Sequence, residues 1–480
     1  MDGGCVAETG AAASGARHEF RRIGIVNDHL RVSYANGSSF ASQFLHREFA
    51  RRGHEVTLVG PADPRARPSE LPPDHIALWS RELRNHPGVF VPFPNMTGLR
   101  RAAAKKFDVL LGQTATGMLE LGTWLRHRHR VPYVCVNTVH LPSLYNVLLP
   151  DSLLSCTRVR RFFEERVVPG IEQSTVRAYN ASDGLVVLSE GMKRYWGSRG
   201  VTVPITTISR SIEPRIFDPR PSVDPFDPRA RHGGRLLVVC RHTREKGIER
   251  LLHIFAERIA RYHSWATLTL VGDGPDHDSF LQLAARLGVS DRVFFHGEQP
   301  LFRVPAYYRF ADIFLYTSLS DTYGQVISEA AWCGLPCVAL ADDMGVSHQV
   351  VHDRTGLLVD STLPREPLES RFAQHVLELL ENNDRRRAMG HAAAATARRR
   401  SSPERCVERY YEAFNEARRH LDAATPESAS GAGRSNLMQW TLLHSALLVL
   451  GYLRKRSIIN RNSSAHPGWG ESLEAATAPF

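Results

Sequence analysis

Two carboxylates eight positions apart, Asp321 and Glu329, flank a glycine turn in the stretch FLYTSLSDTYGQVISE, residues 314–329. Ile313 to Tyr316 reads as a buried strand that runs into a polar loop, and Gly324 turns the chain into a helix starting near Gln325. The first amides of such a helix have no intrahelical acceptor and lie at the positive end of its dipole, so they suit a phosphate. A diphosphate on the amides around Tyr323, Gly324, Gln325 and Val326 leaves one carboxylate on each side to accept hydrogen bonds from hydroxyls. A sugar nucleotide has that layout. Read alone, Asp321 is an ordinary loop residue near a helix start, where Asp is common as a cap.

Cations for the same ligand stand in RLLVVCRHTREKGIERLLHIF, residues 235–255. A strand, Leu236 to Cys240, ends in a loop carrying Arg241 and Lys246, and a helix follows from about Ile248. Arg binds a diphosphate through paired hydrogen bonds and Lys as a point charge. Gly272 and Gly274 follow the next strand, and His296 and Gly297 the one after. Asp276-His277-Asp278 has the DxD spacing of one metal-holding motif, but its place at a helix start favours capping. In the first half, Gly37 follows the strand Arg22 to Asp28, although an Asn-Gly pair by itself reads as a turn. His140 lies in NTVHLP after the strand VPYVCVN, where a lone loop His reads as a surface residue.

These groups need strands to hold them, and the chain supplies two sets. Its 480 residues exceed one ordinary core, and 42% hydrophobic with 23% charged residues is a globular profile. RIGIVND, a helix Phe40 to Arg52 closed by Gly53, and HEVTLVGP open one doubly wound domain; FDVLLGQT, with its strand at Phe107 to Leu111, a helix Gly117 to Arg128 and ASDGLVVLSEGMKRYW continue it. The Pro-rich region 61–94 resists assignment. Lys plus Arg exceed Asp plus Glu by 10, with an isoelectric point near 9.4. That balance favours phosphate-bearing ligands or an anionic membrane surface, while dispersed Arg without zinc-finger or aromatic-basic repeats argues against nucleic acid. Seven scattered Cys, an odd number without CxxC, indicate neither a disulfide framework nor a zinc site, and fit a reducing cytoplasm. The first twenty residues lack the basic start and apolar core of a secretory signal and read as a disordered tail.

The acidic motif, the run EAAWCGLPCVAL and GVSHQVVHDRTGLLVD together resemble the family-4 retaining glycosyltransferases of the GT-B fold, over about residues 20–420. The resemblance implies two Rossmann-like domains with a nucleotide-sugar donor between them, retention of anomeric configuration, no metal and no other cofactor. It assigns Arg241 and Lys246 to the donor phosphates, Glu329 to the ribose, Asp321 to the sugar, and Gly272, Gly274, His296 and Gly297 to the base or ribose side. Gly37 would border the donor phosphates and acceptor, and His140 the transferred sugar. Departures are Asp321 for the usual Glu, Cys240 for Gly, Thr138 where the family has His, and Ser211 and Glu213 in the interdomain segment. They leave open a sugar-nucleotide epimerase of the same fold and a non-catalytic binding scaffold.

The expected organisation is an N-terminal tail, 1–20; an acceptor-side domain, 21–205; crossover and linker, 206–232; a nucleotide-sugar domain, 233–400; a returning helix, 401–421; and a linker with an apolar tail, 422–480. The expected function is transfer of a hexose from a UDP- or GDP-sugar to a hydroxyl acceptor, lipid-linked in one version, by a cytoplasmic enzyme peripheral to a membrane. Two segments offer membrane contacts: a basic helix, Thr157 to Val168, with Arg158, Arg160 and Arg161 beside Phe162 and Phe163, and the tail Leu437 to Leu453 with Arg454 to Arg456. The tail as a helix at ~1.5 Å per residue falls short of the ~30 Å hydrocarbon core.

Overall fold

The computed structural model describes residues 20–30, 37–83, 86–114, 117–138, 156–219, 223–230, 232, 234–318, 321–424 and 432–453. They fall into two compact units: residues 20–188, 192–208 and 404–453 form one, and 189–191 and 209–403 the other.

The first unit is built on strands β1 (Arg22–Asn27), β2 (Glu55–Pro61), β3 (His75–Leu78), β4 (Ser80–Leu83), β5 (His86–Pro92), β6 (Val109–Gln113), β7 (Tyr133–Val136), β8 (Gly184–Val187) and β9 (Ile205–Thr207). Seven of them form a parallel sheet in the order β3-β2-β1-β6-β7-β8-β9, while β4 and β5 pair as an antiparallel hairpin. The Pro-rich region thus holds three short strands and a single turn, Pro68–Glu70. Strand β6 starts two residues later than its apolar run suggests, because the Asp108 carboxylate accepts the Arg22 amide at 2.7 Å and ends the ladder there. Ile23, Ile25, Val109, Leu111, Val134 and Val136 put alternate side chains into one core, the pattern of strands covered on both faces.

Two helices late in the sequence complete this unit. Pro403–Ala423 lays Tyr410, Tyr411 and Phe414 on that core, and His54 bridges the Phe20 carbonyl, at 2.8 Å, and the Tyr411 hydroxyl, at 2.7 Å. Ala432–Leu453 packs on the helix Met118–His129 and on the β4-β5 hairpin, burying Trp440 and His444. The apolar tail therefore starts its helix five residues before Leu437. No helix of the described residues is long and apolar enough to cross a membrane. The expected basic helix does not end at Val168: an α-turn, Thr157–Phe162, passes through a π-turn, Phe163–Val167, into Val168–Asn180. Pro169 lies in the first turn after the π segment, where it removes one donor from the helical ladder.

The second unit carries β10 (Arg235–Val239), β11 (Thr267–Val271), β12 (Val293–Phe295), β13 (Ile313–Tyr316), β14 (Cys337–Ala341) and β15 (Gly356–Asp360). All run parallel, in the order β12-β11-β10-β13-β14-β15. Leu236, Val238, Ile313, Leu315, Val338 and Leu340 face one core, and Leu237, Phe314, Tyr316, Cys337 and Ala339 the other. Both faces being buried, the strands read as unbroken apolar runs. The order reverses between β10 and β13, so the helices that follow them pack on opposite faces of the sheet, and the carboxyl ends of these strands are where such sheets bind ligands.

Candidate functional site

Arg241 and Lys246 follow β10, Asp321 and Gly324 follow β13, and the strand order makes those two loops neighbours. Residues 75 positions apart thereby meet: Lys246 Nζ lies 2.8 and 2.7 Å from the two oxygens of Asp321. The Tyr316 hydroxyl also donates to Asp321. Burial works to raise the Asp321 pKa, but the Lys246 charge and hydrogen bonds, with those of Tyr316 and Ser318, outweigh it and hold the carboxyl below its ordinary value. Thr317 Oγ1 donates to the carbonyls of Lys246, at 3.0 Å, and Gly247, at 3.1 Å, which fastens one loop to the other.

Gly324 caps the helix Gln325–Trp332 with φ 73° and ψ 63°, a left-handed conformation that glycine adopts without strain. Behind the turn, the Gln349 amide donates to the carbonyls of Tyr323 and, at 3.1 Å, Gly324, and the Ser328 hydroxyl donates to the Gln349 oxygen. In a trans peptide the N-H points opposite to the C=O. With both carbonyls drawn toward Gln349, the amides of Gly324 and Gln325 face away from it, and neither has a protein acceptor among the described residues. The turn is therefore a preset donor pair beside Lys246.

Glu329, one turn into this helix, is buried and accepts the Tyr308 hydroxyl at 2.9 Å. Burial pushes its carboxyl up to about 7, against the opposing effect of the Tyr308 hydrogen bond. Arg241 is exposed and has no ion-pair partner among the described residues, so of the loop's Arg241, Arg244 and Lys246 it is the one not already matched by a carboxylate, Arg244 lying 3.7 Å from Asp276.

On the other side of β10, Gly272 has φ 134°, and a Cβ there would lie 1.9 Å from the Cys240 carbonyl oxygen. Only glycine lets the two loops lie so close. Gly274 borders the His242 backbone, and Gly297 accepts the Gly272 amide at 2.8 Å. The His296 ring nitrogen Nδ1 sits 2.9 Å from the Tyr307 hydroxyl, and burial lowers its pKa. His242 and His277 stack with ring centroids 4.9 Å apart and share one Nδ1–Nδ1 hydrogen bond of 2.8 Å. Burial, and then the neighbouring His277, push His242 down to about 3, so it is neutral at pH 7.

The expected capping role of Asp276 is corrected. It occupies the cap position of the helix His277–Arg286, yet its carboxylate makes no cap hydrogen bond and instead accepts the Arg244 amide at 3.1 Å. Asp276 therefore ties the cationic loop to the next one. Among the described residues no three His, Cys, Asp or Glu side chains are grouped to hold a metal ion.

In the first unit Gly37 opens the helix Gly37–Arg51, and Thr138 is buried just beyond β7. Asn137 beside it donates to the Tyr179 hydroxyl at 2.9 Å. His140 lies outside the described residues. Sequence reasoning missed Tyr308, Tyr316, Thr317 and Gln349. Tyr316 ends a strand already read as buried, so its hydroxyl needed a partner at the strand's end; nothing local marks Gln349, which is brought in by the β14 connection.

Two family models match the chain: Glycosyltransferase Family 4 over residues 36–215 and Glycosyl transferases group 1 over residues 229–396. A GDP-mannose-dependent alpha-(1-6)-phosphatidylinositol monomannoside mannosyltransferase of Mycobacterium tuberculosis is 31% identical over 216 residues, 43% of this chain and 54% of the relative. An N-acetyl-alpha-D-glucosaminyl L-malate synthase of Bacillus anthracis is 29% identical over 178 residues, 36% and 43% of the two chains. The chain thus spans about half the length of these curated relatives. Among solved structures, Anabaena HepE in complex with UDP superposes with a TM-score of 0.61 at 16% identity, covering 82% of this chain and 99% of that one. Sucrose-phosphate synthase from Thermosynechococcus elongatus gives 0.60 at 18% identity, covering 84% and 100%. The two matches lie one in each half of the chain, the acidic turn and the cationic loop falling in the second, and the chain belongs to the family-4, group-1 glycosyltransferases of the GT-B fold.

Proposed function

We propose that the protein transfers a hexose from a UDP- or GDP-sugar to a hydroxyl acceptor, with retention of configuration and without a metal ion or other cofactor. The observation that carries this reading is the Lys246–Asp321 pair beside the outward amides of Gly324 and Gln325, with the unmatched Arg241 on the same loop system. A diphosphate placed there meets two cations and a helix terminus, which together stabilise the charge that grows on the leaving group.

In the proposed step the bond from the anomeric carbon to the β-phosphate oxygen breaks, and a bond to the acceptor oxygen forms on the same face. The acceptor proton passes to the leaving phosphate oxygen. Arg241, Lys246 and the amides around Tyr323 to Val326 hold the diphosphate. Asp321 orients Lys246 and faces the sugar, while Glu329 accepts from the ribose hydroxyls. Gly272, Gly274 and His296 border the nucleoside, and Gly37 and His140 belong to the acceptor side. A relative named as GDP-mannose-dependent and a structural neighbour bound to UDP support a nucleoside-diphosphate donor.

For the acceptor we propose a lipid-linked hydroxyl met by a cytoplasmic enzyme at a membrane surface through residues 437–456. The six described cysteines, all free, support a reducing compartment. The test is incubation with UDP- and GDP-hexoses, first in water and then with a phosphoinositide-type acceptor, followed by NMR of the product. Slow hydrolysis and an α-linked product from an α-donor are expected. An altered free sugar nucleotide would identify an epimerase, and an unchanged one a binding scaffold.

A further inference from the structure

The helix Ala432–Leu453 is apolar on both faces, but the fold covers one. Trp440 and His444 are fully buried: the indole donates to the Pro92 carbonyl at 3.1 Å and to His444 Nδ1 at 2.9 Å, and the His444 ring meets Phe93 edge-on. At 3.6 residues per turn, Met438, Leu442 and Val449 stand on the opposite face. They are 63%, 63% and 59% exposed, and Leu443 beside them is 41% exposed. A helix apolar all round calls for a second apolar partner.

Other exposed apolar side chains lie in the same unit. Trp79 is half exposed, with its ring tilted against Phe93, the residue that meets His444, and Met96 is exposed next to Asn95, whose side chain holds the Trp79 amide. The Arg81 guanidinium lies over the Trp79 ring at 5.4 Å, and Arg100 and Arg101 are exposed on the helix Met96–Ala104, which has no acidic residue.

Charge chooses the partner. Between Glu427 and Glu471 the sequence has no Asp or Glu, but it has Arg434, Arg454, Lys455, Arg456 and Arg461. A second copy of this chain would bring like charge against like charge. An anionic bilayer offers hydrocarbon to the stripe and phosphates to the cations. The basic helix at Arg158 fits less well, since Glu164 and Glu165 lie within 4 Å of Arg160 and Arg161 and offset their charge.

We infer that the outer stripe Met438–Leu442–Val449 is a membrane-binding face. On it the last helix lies flat on an anionic bilayer, held to its own domain by Trp440 and His444. This deepens the lipid-acceptor reading above, but it is measured without donor or acceptor, so its failure leaves the donor chemistry standing. The experiment is sedimentation of the full chain with vesicles of phosphatidylcholine alone or with phosphatidylglycerol, for wild type and Met438→Ser/Leu442→Ser/Val449→Ser. The replaced side chains face solvent, so an unchanged melting temperature serves as the control for folding. Binding to the anionic vesicles, weakened by salt, and a tenfold or greater loss in the triple variant are expected. Equal binding by the variant would overturn the assignment and point to the helix at Arg158. So would a wild-type chain that ignores vesicles, or a dimer by light scattering that the triple variant dissociates.

Discussion

Replacing Glu329 by Gln is expected to stabilise the ligand-free protein while destroying its affinity for donor. The wild-type carboxyl is buried and raised from 4.5 to about 7. The native state therefore binds this proton more tightly than the unfolded chain, so the group's contribution is most favourable below about pH 4.5 and is lost as the pH rises to about 7. That gap corresponds to on the order of 3 kcal/mol at pH 8. Gln keeps the shape and still accepts the Tyr308 hydroxyl, but carries no charge to desolvate. Thermal unfolding at pH 4 should find the two proteins nearly equal; at pH 8 the variant should melt higher by roughly 6–12 °C, for about 2–4 °C per kcal/mol in a domain of this size. Titration with UDP and GDP supplies the functional half. If the ribose hydroxyls donate to the carboxylate, wild-type affinity weakens as the pH falls below 7, whereas the variant is weak throughout. A stability difference independent of pH, or a variant less stable than wild type at pH 8, would refute the assignment of a buried, costly charge to Glu329.

Lys246→Met should lower transfer by about 10²-fold or more, the scale for losing one charged contact to a developing phosphate charge. It should also destabilise the protein by leaving Asp321 unpaired, and Asp321→Asn in the same chain should restore the stability but not the activity; chemical denaturation and initial rates read the two effects. Gly324→Ala is expected to cost about 1–2 kcal/mol at its positive φ and to weaken nucleoside diphosphate more than nucleoside, as calorimetry can measure. Addition of EDTA should leave the rate unchanged, because cations and amides already face the diphosphate; loss of activity restored by Mg²⁺ or Mn²⁺ would overturn the metal-free mechanism.

How much of this was legible in the sequence depended on whether a feature is local. The strand-loop-helix junctions at Cys240 to Ile248 and at Tyr316 to Gln325 read correctly because each combines an apolar run, a polar loop and a glycine within a dozen residues. The doubly wound pattern followed from strands alternating with helices. What stayed hidden needed contacts between distant segments. Asp276 was misread as a cap because its position is that of a cap, whereas its carboxylate turns to the amide of Arg244, thirty-two residues earlier. The tail hid its two-sidedness for the same reason: Trp440 is one apolar residue among many there and His444 one of several interruptions, and only contacts with the distant Pro92 carbonyl mark their side as the buried one.

The Lys246–Asp321 contact changes how the site is understood more than any single residue does. The sequence suggested separate tasks, Lys for phosphate and Asp for sugar hydroxyls, because the two stand on different loops. In the fold each is the other's partner, and Asp321 also holds the Tyr316 hydroxyl. A lysine confined in this way has lost much of its side-chain freedom before a ligand arrives, so less ordering entropy opposes its contact with phosphate. The carboxylate in turn is held below its ordinary pKa by the same pair, which favours its ionised form. The short Asp side chain is compatible with this because the lysine reaches it across the strand pair β10 and β13. At the reversal point of the sheet an Asp at 321 is thus long enough to reach the lysine of the neighbouring loop.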